Sequence, residues 1–475
     1  MNRSILLAAI LAAGCTAVGP DYKRPEIALP EQFESPAQPE KFDSPVQPES
    51  PAIAADWWNL YADPTLDSLV AATRANNADL RLAAARIEEA EGVLREARAS
   101  FFPDVTGGYS YTRNKVSTLT VPPPIGGFSL IRNQNQLLAS TSFELDFWGR
   151  LSRASEAARA NLLASRNARD VVGLTLASAT AQTYFGLRSL DAQLAALEAT
   201  IKARSDSLDL ARARLQAGLA PELDVHQAQG AFADALVQRR DAARQRAILE
   251  RQLGQLTGRL DLRIEPGDLF KLPVPPTAPP GLPSELLDRR PDIRNAEESL
   301  VAANAQIGIA KAALFPTISL TGGLGRQSAA FSDLLAGGAG IWSLGYALTL
   351  PIFDAGRRGA RVDQARARQQ QALASYQKAV ETAFREVSEG LINVEQSGAT
   401  ETDLAARLQA ARNALELSNI RYEAGYSPYL EVLDAQRTAN DAELAFVRNR
   451  QARLSFSVDL MKSLGGGWSE KESVR

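Results

Sequence analysis

The sequence predicts a mixed α/β membrane protein, in which two copies of one unit each join a pair of amphipathic strands to very long helices. Three observations carry that expectation. The chain is internally duplicated, it holds four alternating segments with one oily and one polar face, and two long stretches lack proline.

The duplication sets the period. Arg214, Ala217-Gly218, Pro221, Leu223, Val225 and Ala228-Gln229 recur 207 positions later, without a gap, as Arg421, Ala424-Gly425, Pro428, Leu430, Val432 and Ala435-Gln436. The same offset carries Gly149-Arg150 onto Gly356-Arg357. An offset of 213 carries Asp79-Leu80-Arg81 onto Asp292-Ile293-Arg294, and Phe102-Pro103 onto Phe315-Pro316. Each half therefore runs in one order: a helical stretch ending in Phe-Pro, two alternating segments, a long proline-free stretch, a Gly/Pro turn and a shorter helix.

The alternating segments read as hairpin strands at about 104–113, 136–148, 317–326 and 340–352. Leu137, Ala139, Thr141, Phe143, Leu145 and Phe147 alternate with Leu138, Ser140, Ser142, Glu144 and Asp146. Trp342, Leu344, Tyr346, Leu348, Leu350 and Ile352 oppose Ser343, Gly345, Ala347 and Thr349. Strands of about 10 residues with this pattern match a tilted transmembrane strand. A sandwich hairpin with its oily face inward has the same alternation. The connections at 121–127 and 336–338, rich in Pro and Gly, favour the membrane reading. Four strands cannot close a barrel, since small barrels need about 8, and an open edge facing lipid leaves amides without partners. Several chains must then share one barrel. Two would give an interior filled by side chains, so a conducting pore calls for at least three.

The proline-free stretches, 149–217 and 356–424, would each reach roughly 100 Å as helix. Leu187, Leu190, Leu194, Leu197 and Ile201 keep a 3-4 spacing that Leu208 and Leu215 continue. Leu404, Leu408, Ala411, Leu415 and Tyr422 keep the same phase in the second half. That repeat specifies a helix–helix seam. Gly218 and Gly425 suit the left-handed residue that ends a helix. Ser427 suits an N-cap and Pro428 the first helical position, with Pro221 the equivalent in the first half.

The start of the chain reads as an address. Arg3 precedes an apolar run, 4–13, that is too short to span a bilayer. The run ends in Leu11-Ala12-Ala13-Gly14-Cys15, which resembles a lipoprotein processing site, although Ala12 stands where leucine is preferred. Cys15 is the only cysteine, so no intrachain disulfide forms, and it is expected to carry a covalent lipid. Thr16 rather than aspartate follows it, which favours sorting to the outer membrane. The expected organisation is a signal peptide at 1–14, a lipid-anchored proline-rich segment at 15–55 and a first repeat at 56–262. A proline-rich connector at 263–283, a second repeat at 284–468 and a tail at 469–475 complete it.

Composition excludes other classes. A net charge of -3 gives no support for nucleic-acid binding. A single histidine, His226, leaves no spare ligand for a metal cluster and no His-based triad. It sits in the helix after a turn, opposite apolar Leu433 in the other repeat, and reads as a surface histidine.

With these features in place the chain resembles the outer-membrane factor family, the TolC-like efflux channels, in its lipoprotein branch. The match rests on Trp57-Trp58 with Asp63-Pro64 and Leu66, on Arg289-Arg290-Pro291-Asp292-Ile293, on Phe315-Pro316, on the two duplicated turns and on Leu464-Gly465-Gly466-Gly467-Trp468. The resemblance implies a homotrimer with a shared 12-strand barrel in the outer membrane and a helical tunnel across the periplasm. It implies that the helix turns, Ala217, Gly218, Leu219 and Pro221 with Ala424, Gly425, Ser427 and Pro428, meet a periplasmic adaptor linked to an inner-membrane transporter. It implies no cofactor beyond the lipid on Cys15. Acids at the Asp224 and Asp434 positions lie near the family's constriction, Glu431 stands where Asp224 does in its repeat, and Tyr426 matches a residue that ties the closed mouth. The expected function is a passive conduit for drugs, metals or other small toxic solutes. A polypeptide secretion conduit and a non-conducting lipoprotein scaffold remain as alternatives, and an enzyme is not expected.

Overall fold

A computed structural model describes residues 17–28, 30, 33, 53–117, 119, 130–277 and 286–466. In chain order the helices are α1 (Pro64–Asn76), α2 (Ala78–Ala99), α3 (Arg150–Gln216), α4 (Glu222–Leu256), α5 (Leu286–Arg289), α6 (Pro291–Ala312), α7 (Arg357–Glu423) and α8 (Tyr429–Ser463). The strands are β1 (Asp104–Lys115), β2 (Ile131–Leu145), β3 (Thr317–Ser328) and β4 (Gly340–Thr349). The duplication survives in the lengths: α3 and α7 have 67 residues each, α4 and α8 have 35, and α2 and α6 have 22. The chain divides into two compact units. One holds residues 1–26, 86–165 and 296–376, and the other holds the remainder.

The first unit carries one antiparallel sheet in the order β1-β2-β3-β4, with no break in register. The register brings one oily face together from all four strands. It contains Val105, Tyr109 and Tyr111, then Leu137, Phe143 and Leu145, then Ile318, Leu320 and Leu324, then Trp342, Leu344, Tyr346 and Leu348. Trp342, Leu344 and Tyr346 are each 80% exposed in the single chain, the reverse of a sandwich core. The opposite face is Thr106, Ser110, Ser140, Ser142, Ser319, Thr321, Ser343 and Thr349. From Leu145 to Leu137 the oily face runs about 27 Å along the strand, long enough for a tilted strand to cross most of an apolar band.

Five strand ends differ from expectation: β1 and β3 run two residues further, to Lys115 and Ser328, β2 starts at Ile131 rather than 136, and β2 and β4 end early. β2 stops at Leu145 rather than 148, because the Asp146 carboxylate turns to accept from the backbone N–H groups of Leu151 and Ser152 at the start of α3. Gly149, at φ +72°, completes that turn. β4 stops at Thr349 rather than 352, and Pro351, which has no N–H to donate, follows.

Residues 17–26 of the N-terminal segment belong to this unit and are bonded to it. Val18 N–H donates to the Trp148 carbonyl (3.0 Å), Asn304 donates to the Pro20 carbonyl (2.8 Å), and Arg153 pairs with Asp21 (2.6 Å). Arg24 holds Glu297 through two bonds of 2.7 Å. Gly19 and Gly308 allow the approach, since a Cβ on Gly19 would stand 2.6 Å from Gly308 Cα.

The second unit packs around Trp57, Tyr61, Leu66, Tyr184, Phe185, Leu253, Leu454 and Val458. Asp63 caps α1 by accepting from Thr65 N–H, and Tyr184 OH donates to the same carboxylate. The connector after α4 is held by arginines. Arg188 donates to the Glu265 carbonyl, Arg246 to that of Ile264, Arg251 to that of Leu262 and Arg450 to that of Leu272. Arg290 ties Asp292, Glu386 and the Ser463 carbonyl at the end of α8, which gives the Arg-Arg-Pro-Asp string a structural role.

Candidate functional site: the paired helix turns

Both long helices end alike. Leu219 N–H returns to the Arg214 carbonyl and Gly218 N–H to that of Leu215. Tyr426 N–H returns to the Arg421 carbonyl and Gly425 N–H to that of Tyr422. These are two Schellman motifs, with Gly218 and Gly425 at φ +71° and +80°. A Cβ on either glycine would meet nothing within 4 Å, so the turn conformation alone calls for glycine.

The next helices start one residue later than expected. Pro221 and Pro428 are extended and are themselves the N-caps, without a side-chain cap bond. Ser427 therefore caps nothing. Its hydroxyl is buried and makes no hydrogen bond, because extended Pro428 turns the helix start away from it. Ala217, Leu219, Pro221, Ala424, Pro428 and Tyr426 are exposed, and Tyr426 reaches 80%.

The two hairpins share one core, and this breaks the repeat symmetry. Leu208, Ala211 and Ala228 from the first pack with Tyr422, Tyr429 and Val432 from the second. Tyr422 and Tyr429 lie 5.5 Å apart between ring centres. Their counterparts, Leu215 and Glu222, are exposed, so the seam expected to continue through Leu215 stops short of it. The two tyrosines fill this shared core, while their counterparts, a leucine and a glutamate, stay outside it. Arg214 reaches across to donate to the Tyr422 carbonyl (2.8 Å), and its guanidinium lies 4.7 Å over the Tyr422 ring. The equivalent Arg421 stays within its own hairpin and pairs with Glu431 at 2.9 Å.

The four aperture candidates thus occupy different settings. Glu431 is exposed and paired. Asp434 and Tyr426 are exposed. Asp224 is half-buried; burial pushes its carboxyl up, and the Arg214 charge opposes that. A carboxyl raised in the fold favours folding below its unfolded value and loses that contribution as pH rises through the folded value. Burial likewise pushes the Tyr429 hydroxyl up, to about 12. Arg214, Arg421, Tyr422 and Tyr429 were not expected as site residues. The signal was the shared spacing of ten residues from Arg214 to Asp224 and from Arg421 to Glu431, across each turn. Among the described residues no helix is long and apolar enough to cross a membrane, and no group of three His, Cys, Asp or Glu could hold a metal ion.

A sheet with one oily exposed face, joined to helices of this length and duplicated turns, is a known combination. The profile of the family described as outer membrane efflux protein matches residues 69–259 and 282–466. The chain belongs to that family. It is 35% identical to the toluene efflux pump outer membrane protein TtgC of Pseudomonas putida, across 99% of this chain and 97% of that one. It is 33% identical to the cation efflux system protein CusC of Escherichia coli, across 97% and 98%. Among solved structures, the open state of the Neisseria gonorrhoeae MtrE outer membrane channel superposes with a TM-score of 0.84 at 30% identity, covering 96% of this chain and 99% of that one. This outer membrane efflux protein has the TolC-like fold, four strands to the chain, and is the outer-membrane channel component of a tripartite efflux system. The family is one of transport channels rather than of enzymes.

Proposed function

We propose that three copies assemble into one tube that passively conducts drugs or other small toxic solutes, received from an inner-membrane transporter through a periplasmic adaptor. The observation that carries this reading is the sheet. β1 and β4 are both edges, the face they bound is oily, and lipid cannot satisfy an open edge. Three sheets give twelve strands and room for a pore. The chain itself catalyses nothing and needs no cofactor, because the transporter supplies the energy. Relatives named for toluene, solvent, antibiotic and cation efflux favour small solutes over polypeptides.

At the mouth, the threefold axis would repeat Asp224, Glu431 and Asp434 as acidic rings that narrow the pore and favour cations, with Tyr426 beside them. Asp434 is the strongest of the three, since Arg421 already neutralises Glu431. The test is single-channel recording of purified trimers in a salt gradient, after native mass has counted three copies. Glu431→Ala with Asp434→Ala should raise conductance by about twofold and lower cation preference. Unchanged values in intact trimers would remove the gate, and a folded, inserted monomer would remove the trimer.

The exposed turn residues Ala217, Gly218, Leu219, Pro221, Ala424, Gly425 and Pro428 would dock the adaptor, with buried Ser427 as support beneath them. A charge at Leu219, as in Leu219→Glu, should weaken adaptor binding by about 30-fold while trimers still form. Normal drug export by that variant would exclude docking at this turn.

Cys15 lies outside the described residues. Ala17, two positions on, packs where a Cβ on Gly149 would stand 2.5 Å away, at the start of α3. A covalent lipid on Cys15 would add a second anchor in the outer membrane. Intact mass of the mature protein should show acylation at an N-terminal Cys15, and Cys15→Ser should remove it while leaving folding intact. Mature protein cleaved elsewhere and free of lipid would contradict the anchor.

A further inference from the structure

The charged residues of the sheet are sorted by end. β1 to β4 contain four basic residues, Arg113, Lys115, Arg132 and Arg326, and all lie in the half of their strand nearest the loops. The strands contain two acids, Asp104 and Glu144, and both lie at the helix end. Glu144 is already paired there with Arg150.

The register divides the basic residues between the faces. Arg113 is opposite Asn133 and Lys115 is opposite Ile131, on the same face as Tyr109 and Tyr111. Arg132 is opposite Asn114, on the polar face. Arg326 is on the oily face, but its guanidinium is committed to the Leu335 and Ala336 carbonyls. Arg113 and Lys115 are exposed, and neither forms an ion pair with a described residue. The connection from 116 to 130 contains no Asp or Glu, and Asp333 is the only acid in the 329–339 connection.

Below this pair lies an aromatic level. Tyr109 OH donates to Asn135 Oδ1 at 2.8 Å, and Tyr111 OH to Asn133 Oδ1 at 3.4 Å. The Tyr109 ring also packs edge-on against Phe331. Tyrosines of this kind mark the depth at which an apolar band gives way to headgroups. Arg113 is two residues beyond Tyr111 and Lys115 is four, so both reach the headgroup layer, about 7 Å apart along the strand. Two unneutralised cations on a lipid-facing surface at that depth complement phosphate, and a guanidinium can hold two phosphate oxygens.

We infer that Arg113 and Lys115 form a binding site for the phosphate-bearing headgroup of an outer-leaflet lipid, placed on the lipid-facing surface above Tyr109 and Tyr111. Selectivity comes from the sorting of charge. The helix end offers the same face no exposed cation in the strands, so phosphate lipid is retained at the loop end. The inference rests on the outer-membrane channel reading, which sets the loop end outward.

The test uses the full-length protein in phosphatidylcholine nanodiscs doped with diphosphoryl lipid A or with its dephosphorylated form, and counts retained lipid by mass spectrometry. The native protein should enrich the phosphorylated form. Arg113→Gln with Lys115→Gln should lower that enrichment about tenfold or more. Arg113→Lys should keep most of it, and Arg132→Gln, on the other face, should leave it unchanged. No enrichment by the native protein, or an equal loss in Arg132→Gln, overturns the site. Bilayer conductance of the same samples separates the two readings. A protein that conducts without enriching phosphate lipid refutes the lipid site alone, and one that never conducts refutes the channel.

Discussion

Replacing Asp191 by alanine should destabilise the helical unit by about 3–5 kcal/mol, the cost of leaving buried charges without their partner. Asp191 is a hub with a side chain 3% exposed. It accepts from Arg188 (3.0 Å), from Arg246 (2.5 Å) and from the Gly267 N–H (3.0 Å). Arg188 and Arg246 in turn donate to the Glu265 and Ile264 carbonyls. Removing this carboxylate takes the acid from Arg188, leaves Arg246 with only Glu250 at 3.5 Å, and loosens the connector they hold. Gly267 is part of the same fit, since a Cβ there would stand 2.4 Å from the Arg188 guanidinium. Thermal or denaturant unfolding of the detergent-solubilised protein measures the loss, and limited proteolysis should show new cleavage near 260–270. Asp191→Asn, which keeps an acceptor but not the charge, should fall between. For contrast, Asp206→Ala breaks an exposed pair with Lys202 and should cost under about 0.5 kcal/mol. A melting profile for Asp191→Ala as mild as that of Asp206→Ala would show that the hub contributes little.

Gly325→Val should abolish assembly of the membrane sheet. A Cβ at Gly325 would stand 2.2 Å from the Leu137 carbonyl oxygen and 2.9 Å from Leu138 Cα. Both are backbone atoms of the neighbouring strand, so no side chain can move to relieve the clash. Avoiding it requires β2 and β3 to part or slip, and a one-residue slip turns every oily side chain to the other face. Gly107 and Gly108 in β1 meet nothing within 4 Å. Gly108→Ala should therefore assemble normally and serve as the control. The readout is the yield of heat-resistant, membrane-inserted oligomer. Normal yield from Gly325→Val would mean that β2 and β3 do not pair in this register.

Much of the architecture was legible because it rests on short-range rules. The missing prolines, with Gly218 and Gly425 as stops, set the ends of α3 and α7 within a residue of their observed limits. Period-two alternation located all four strands. The ends of β2 and β4 were misjudged because alternation continues through Phe147 and Ile352. Asp146 capping and Pro351 override it there, and a pattern of oily and polar residues records neither.

The sequence by itself determined the repeat and the helix and strand inventory. Each follows from backbone preferences and side-chain chemistry acting within a few residues. Only the tertiary structure decided how equivalent residues differ. Arg214 and Arg421 hold the same place in their repeats, yet one crosses to Tyr422 and the other pairs with Glu431. Leu215 and Tyr422 are equivalent, yet only Tyr422 is buried. The reason is that the two hairpins pack against each other around a single core. A shared core presents a different neighbour to each copy, and no rule that reads one copy at a time contains that information.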